Sequence, residues 1–136
     1  MDDTRKAMLI HRIKERLSQI GYSVTDEDVD SIEFMLDYTL DYIFIQTNNP
    51  TIDSKCDTAI AEKVAAEFLL RKKNMGKLES FDYDRGVKAI TEGDTKVEFL
   101  TGDDAMTYEA RFDRCLNEMI RGFDKRVISP FRKLRW

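Results

Sequence analysis

The sequence predicts a mainly α fold, a four-helix bundle-like subunit with a β-hairpin between the third and fourth helices. Three observations carry this expectation. Four long stretches repeat apolar residues at spacings of three and four, the mark of one buried helix face. A glycine, an Asn-Pro or a Ser-Pro follows each of them. Between the third and fourth stretches the period changes towards two, as in a strand.

The first helix runs from about Asp3 to Ile20 on Ile10, Ile13, Leu17 and Ile20, and Gly21 supplies the left-handed residue that ends it. Thr25 and Asp28 then make a capping box with Asp in place of Glu, while Asp26 and Glu27 lie where the helix dipole favours anions. A second helix follows, from Asp26 to about Gln46. Val29, Ile32, Leu36, Leu40 and Ile43 form one apolar stripe, and Met35, Tyr38, Tyr42 and Ile45 form another. So wide an apolar surface suits a central helix or one that also meets another subunit. Asp30, Glu33, Asp37 and Asp41 make its remaining face acidic.

Asn48-Asn49-Pro50 breaks the chain, because proline turns the preceding residue away from helix. The third helix spans about Asp53 to Met75, with Cys56, Ile60, Val64 and Phe68 at steps of four and Ala61, Ala65 and Leu69 beside them. Arg71, Lys72 and Lys73 complement its dipole, and Gly76 closes it. From Val87 to Leu100 the pattern alternates. Gly93-Asp94 reads as a two-residue hairpin turn that places Ile90, Val97 and Phe99 on one face. The fourth helix runs from about Asp104 to Arg126 on Phe112, Leu116, Met119, Ile120, Phe123 and Val127, and Ser129-Pro130 stops it. Residues 1–128 therefore read as one helical domain, and residues 129–136 as a basic, aromatic tail.

The chain's 136 residues suffice for one core, and no apolar run approaches the roughly 20 residues of a membrane span. The opening MDDTRKAMLIHRIKERL is charged throughout and offers no support for export. Cys56, Cys115 and His11 are the whole soft-ligand inventory, and the nearest two lie 45 positions apart, which leaves no zinc site. The cysteines read as small, partly buried side chains. His11 reads as solvated or capping, with no sequence-local carboxylate partner. No GxGxxG, phosphate loop, GxSxG or HExxH occurs. Asp26, Glu27, Asp28 and Asp30 are numerous enough for Mg²⁺, but acids at a helix start are cap and dipole chemistry first. The expectation is a non-enzyme with no catalytic residue, cofactor or metal.

Charge is unevenly spread. Up to residue 106 there are 14 bases against 22 acids, and beyond it eight against four, so a net charge of -4 divides into -8 and +4. Arg111, Arg114, Arg121, Lys125 and Arg126, with Arg132, Lys133 and Arg135, suit a phosphate-neutralising surface of a nucleic-acid-associated regulator. Asp113, Glu118 and Asp124 interrupt it, however, as on a merely solvated face. The tail Phe131, Arg132, Lys133, Leu134, Arg135 and Trp136 holds three bases, no acid and three large apolar side chains. It either docks a partner or packs on the chain's own core. Opposite surfaces on one chain permit head-to-tail association, or they meet within the monomer.

This order of elements resembles the small head-tail connector (head-completion adaptor) proteins of long-tailed phages and prophages. The alanine-rich third helix, Ala59 to Leu70, carries the resemblance, together with Val87 to Phe99, which looks like the GDT-x-V-x-F hairpin before the last helix of that family. It spans about residues 5 to 130. The resemblance implies a structural virion protein, assembled in the host cytoplasm as a ring of about twelve copies beneath the portal. The ring would extend the DNA channel and carry the next head-completion or tail protein, with DNA passing through without sequence-specific binding. It further implies that the C-terminal segment, here Phe131 to Trp136, docks on the portal. Asp30, Glu33, Asp37 and Asp41 would face either the channel lumen or a neighbour's bases such as Arg111, Arg114, Arg121 and Lys125.

Overall fold

Capping fixes where the first two helices begin. In the computed structural model, which describes residues 2–49, 51–78, 80–93 and 107–131, the Asp2 carboxylate accepts the Arg5 N–H at 2.7 Å and starts α1 (Asp3–Ile20). Gly21, at φ 110°, ends it, and the Gly21 and Tyr22 N–H groups donate to the Leu17 carbonyl. The Thr25–Asp28 capping box opens α2 (Asp26–Thr47), whose C-cap Asn48 is left-handed at φ 52°. A short 3₁₀ turn, Ser54–Cys56, then leads into α3 (Asp57–Asn74). Gly76, at φ 72°, closes α3 as Lys77 N–H reaches the Lys72 carbonyl at 3.0 Å.

Central to the fold is α3, which packs against α1, α2 and the last long helix. Ala61, Ala65 and Ala66 are buried there and let these neighbours approach closely. Around it Leu9, Ile13, Leu17, Ile32, Leu36, Ile60, Val64, Phe68 and Leu69 form one continuous core.

The expected hairpin is corrected. Residues Tyr83–Gly93 form a helix, α4, and no strand occurs among the described residues. Asp82 caps it by accepting the Arg85 N–H at 3.1 Å, and Tyr83, Val87 and Ile90 follow at helical steps of four and three. Gly93 is the helix's last residue and so does not begin a two-residue turn. Val97 and Phe99 lie outside the described residues. The bundle thus has a fifth helix where a first strand was expected.

The last long helix, α5 (Tyr108–Phe123), is capped by Thr107, whose hydroxyl accepts the Ala110 N–H at 3.2 Å. Ser129-Pro130 does not stop the helical path, which corrects a second expectation. A π turn over Asp124–Ile128 carries the chain on to a last helical turn, Ser129–Phe131. Within it the Ser129 N–H donates five residues back, to the Asp124 carbonyl. Widening the turn ahead of Pro130 accommodates a ring that would crowd the carbonyl of an ordinary α-helix.

α4 and α5 meet at Gly86. A Cβ on Gly86 would fall 2.7 Å from Phe112 Cε1, so hydrogen at that position is what lets the Phe112 ring lie against α4. Phe81 and Tyr83 complete the cluster, with ring centroids 5.0 and 5.4 Å from that of Phe112.

Candidate interaction surfaces

Most charges facing the bundle's seams are paired within the chain. Arg5 of α1 donates to the buried Asp57 carboxylate at 2.6 Å and to the Ile52 and Asp53 carbonyls at 2.6 and 3.0 Å, pinning the loop before α3. Arg16 pairs with Glu62 at 2.9 Å, and Lys73 with Asp113 at 2.7 Å. Lys63, almost fully buried, donates to Glu67 at 2.8 Å and lies near the Tyr42 and Phe123 rings. The Tyr42 hydroxyl in turn donates to Asp124 at 3.2 Å, which ties α2 to the π turn.

Asp28 is a buried structural anion. It accepts the Tyr22 hydroxyl at 2.7 Å and the Thr25 N–H at 3.0 Å, and it pairs with Lys72 at 2.8 Å. Burial pushes its pKa up, but Lys72, Tyr22 and Thr25 outweigh that and hold it at about 2. Burial and the neighbouring carboxylate both push the Tyr22 phenol upward. Asp26, Glu27 and Asp30 are exposed, and among the described residues no three His, Cys, Asp or Glu side chains gather as a metal site.

The outer face of α2 is different. Phe34, Tyr38, Ile45 and Phe44 are 65%, 63%, 61% and 51% exposed, values a packed side chain of that size does not show. Of the predicted second stripe, Met35 is buried and Tyr42 half-buried, whereas Tyr38 and Ile45 point outward. Asp30, Phe34, Tyr38, Asp41 and Ile45 follow one another at steps of four, four, three and four, so two rings lie between two carboxylates along a single stripe that ends on Ile45. Glu33, also exposed, lies beside it. Asp37 accepts Lys6 of α1 at 2.6 Å, and this hydrogen bond is the main reason the Lys6 ammonium titrates above its ordinary range. Phe34 and Phe44 had no place in the predicted stripes. Phe34, four residues from both Asp30 and Tyr38, was the available signal.

Arg114 and Arg121 of α5 and Lys125 of the π turn are exposed, while Arg111 of α5 is half-buried near the Tyr108 ring. Among the described residues Arg121 makes a long, solvent-exposed contact to Glu118, 3.5 Å. Phe131 is half-buried against the core, and Arg132 to Trp136 lie outside the described residues. No protein-family model, curated protein or solved structure matches the chain.

The remaining sequence candidates have local explanations. Cys56 and Cys115 are buried free thiols, and burial pushes the Cys115 thiol up to about 11, away from nucleophilic chemistry. His11 does have a local carboxylate, contrary to expectation: Glu15, one turn on, stands 2.8 Å away in an exposed pair. A hollow of about 400 Å³ is lined by Gln19, Asp82, Asp84, Arg85, Lys88 and Ala89. Asp84 pairs with Lys88 there, and Asp82 accepts an N–H of the α4 backbone. No helix among the described residues is long and apolar enough to cross a membrane.

Proposed function

We propose that this chain is a structural head-tail connector of a tailed phage or prophage, forming a ring under the portal that extends the DNA channel and carries the platform for tail attachment. The outer face of α2 is the observation that carries this reading. Four large apolar side chains stand in water among carboxylates, on a helix whose opposite side is fully committed to the core. An apolar patch with a polar border is the anatomy of a protein interface. The family assignment in this proposal rests on the sequence resemblance of the alanine-rich stretch Ala59 to Leu70, and the segment Val87–Gly93, a helix and not the start of a hairpin, gives it no support. The chemistry proposed is recognition, with the portal, a downstream head-completion or tail protein and further copies of the chain as partners.

Because Phe131 packs on the core, the portal-docking segment is assigned to Arg132, Lys133, Leu134, Arg135 and Trp136. Deleting these five residues is expected to leave the helical spectrum and thermal midpoint unchanged while abolishing co-sedimentation with the portal. A truncated chain that unfolds, or that still co-sediments, contradicts the assignment.

The exposed Arg114, Arg121 and Lys125 favour a second reading, a small nucleic-acid-associated regulator. It predicts duplex binding that falls steeply with salt and weakens on Arg114→Ala or Arg121→Ala. Absent or salt-insensitive binding in an electrophoretic titration removes it.

A further inference from the structure

The connector reading leaves two roles open for the α2 carboxylates, lining the channel or meeting a neighbour. We infer that the α2 stripe Asp30, Phe34, Tyr38, Asp41 and Ile45 docks on Arg114 and Arg121 of α5 and Lys125 of the π turn after it in a second copy of this chain, making the contact between subunits head-to-tail.

A role in lining the channel would leave the large apolar side chains of the stripe in water, whereas contact with protein buries them. Phe34, Tyr38 and Ile45, each more than half exposed, sit within the acidic stripe itself, so the same surface cannot present one without the other. Two rings flanked by carboxylates, Phe34 and Tyr38 between Asp30 and Asp41, suit arginine well. Its guanidinium stacks on an aromatic face and pairs with a carboxylate through its edge, and its stem covers apolar surface. Spacing agrees as well. Phe34 to Asp41, Tyr38 to Ile45 and Arg114 to Arg121 are each seven residues, about 10.5 Å along a helix, so one register aligns two turns of both stripes.

Two copies meeting through α2 alone in parallel register would set Asp30 and Asp41 against their own equivalents, and an antiparallel pair would set each carboxylate against an apolar side chain, so neither arrangement gives the acids a charged partner. The carboxylates favour a basic occupant, and Arg114 and Arg121 of α5, with Glu118 between them and Lys125 in the π turn that follows, present one on a continuous helical path. Both helices are anchored on α3 by their inner faces, so the stripes point outward from one body. A contact between unlike surfaces repeats from copy to copy, closing into a ring when the rotation permits. Ring closure rests on the connector reading; the contact itself needs no portal.

Two variants with changes only at exposed positions test this: Phe34→Ser with Asp41→Ser, and Arg114→Ser with Arg121→Ser. In sedimentation velocity the unaltered chain is expected to associate beyond a dimer as concentration rises, less so in high salt. Each variant alone should weaken self-association by at least about tenfold. Mixed together, each supplies the surface the other lacks, so a 1:1 dimer forms and nothing larger. A variant that associates like the parent, a mixture that stays monomeric, or a parent still monomeric at about 1 mM overturns the inference. So does loss of association on deleting Arg132 to Trp136 with the α5 variant unaffected, which would make the tail the occupant. Portal binding is scored separately: a chain that self-associates but ignores the portal ends the connector reading alone, and a monomer that binds the portal ends the α2–α5 contact alone.

Discussion

Phe112→Ala is expected to lower the unfolding free energy by about 3–5 kcal/mol, and Gly86→Ala by about 1–3 kcal/mol. Phe112 is fully buried where α4, α5 and the Phe81–Tyr83 segment converge, so truncating it removes a ring and leaves a cavity. The sign of the Gly86 effect is the sharper test. Alanine is intrinsically about 1 kcal/mol better than glycine inside a helix, so an unconstrained site would be stabilised. Here the new methyl meets Phe112 Cε1 at 2.7 Å, Phe112 Cδ1 at 3.0 Å and Phe81 Cε1 at 3.1 Å, all ring atoms with little room to yield. In the double variant the methyl enters the space the ring vacated, and the combined loss is less than the sum of the two. Urea unfolding of the four proteins measures the cycle. A neutral or stabilising Gly86→Ala would mean that α4 does not lie on α5 as described.

Between about pH 4 and pH 2 the protein is expected to lose about 2 kcal/mol of stability through Asp28 alone, the linkage of a pKa that falls from 3.8 to about 2 on folding. A depressed carboxylate stabilises the fold while it is ionised in both states, above pH 4. That contribution disappears as the pH falls through the folded value. Asp28→Asn removes the charge opposite Lys72 and one acceptor from the Tyr22–Thr25–Lys72 cluster. At neutral pH it should cost about 2 kcal/mol, and its stability should change less than the parent's between pH 4 and 2. Equal acid sensitivity in the two proteins would contradict this role.

The parts of the fold legible in the sequence are those governed by local chemistry. Gly21 and Gly76 at positive φ, the Thr25–Asp28 box and the buried apolar rows of α1 to α3 all rest on side chains within a turn of one another. The helix α4 differs from the expectation because its first turn, capped by Asp82, precedes Val87, where the stretch that reads as alternating with Ile90, Val97 and Phe99 on one face begins. Short segments satisfy both periods, and contact with Phe112 selects the helix. The path through Pro130 was equally illegible, since the π turn that makes room for the ring has no local sequence signal. At the surface, the acidic row of α2 was plain, but its meaning was not. Two apolar stripes and one acidic stripe cannot be ranked until α3 and α1 cover one side. Only then do Phe34, Tyr38 and Ile45 emerge outside the core, and Asp37 appear paired with Lys6.

Imaging of negatively stained complexes tests the central claim most directly, using the folded chain mixed with the portal of the genome that encodes it. A connector adds a closed ring of density, coaxial with the channel, on one end of the portal, and the ring disappears when Arg132 to Trp136 are deleted. Portal particles that look the same with and without an excess of folded chain would contradict the account.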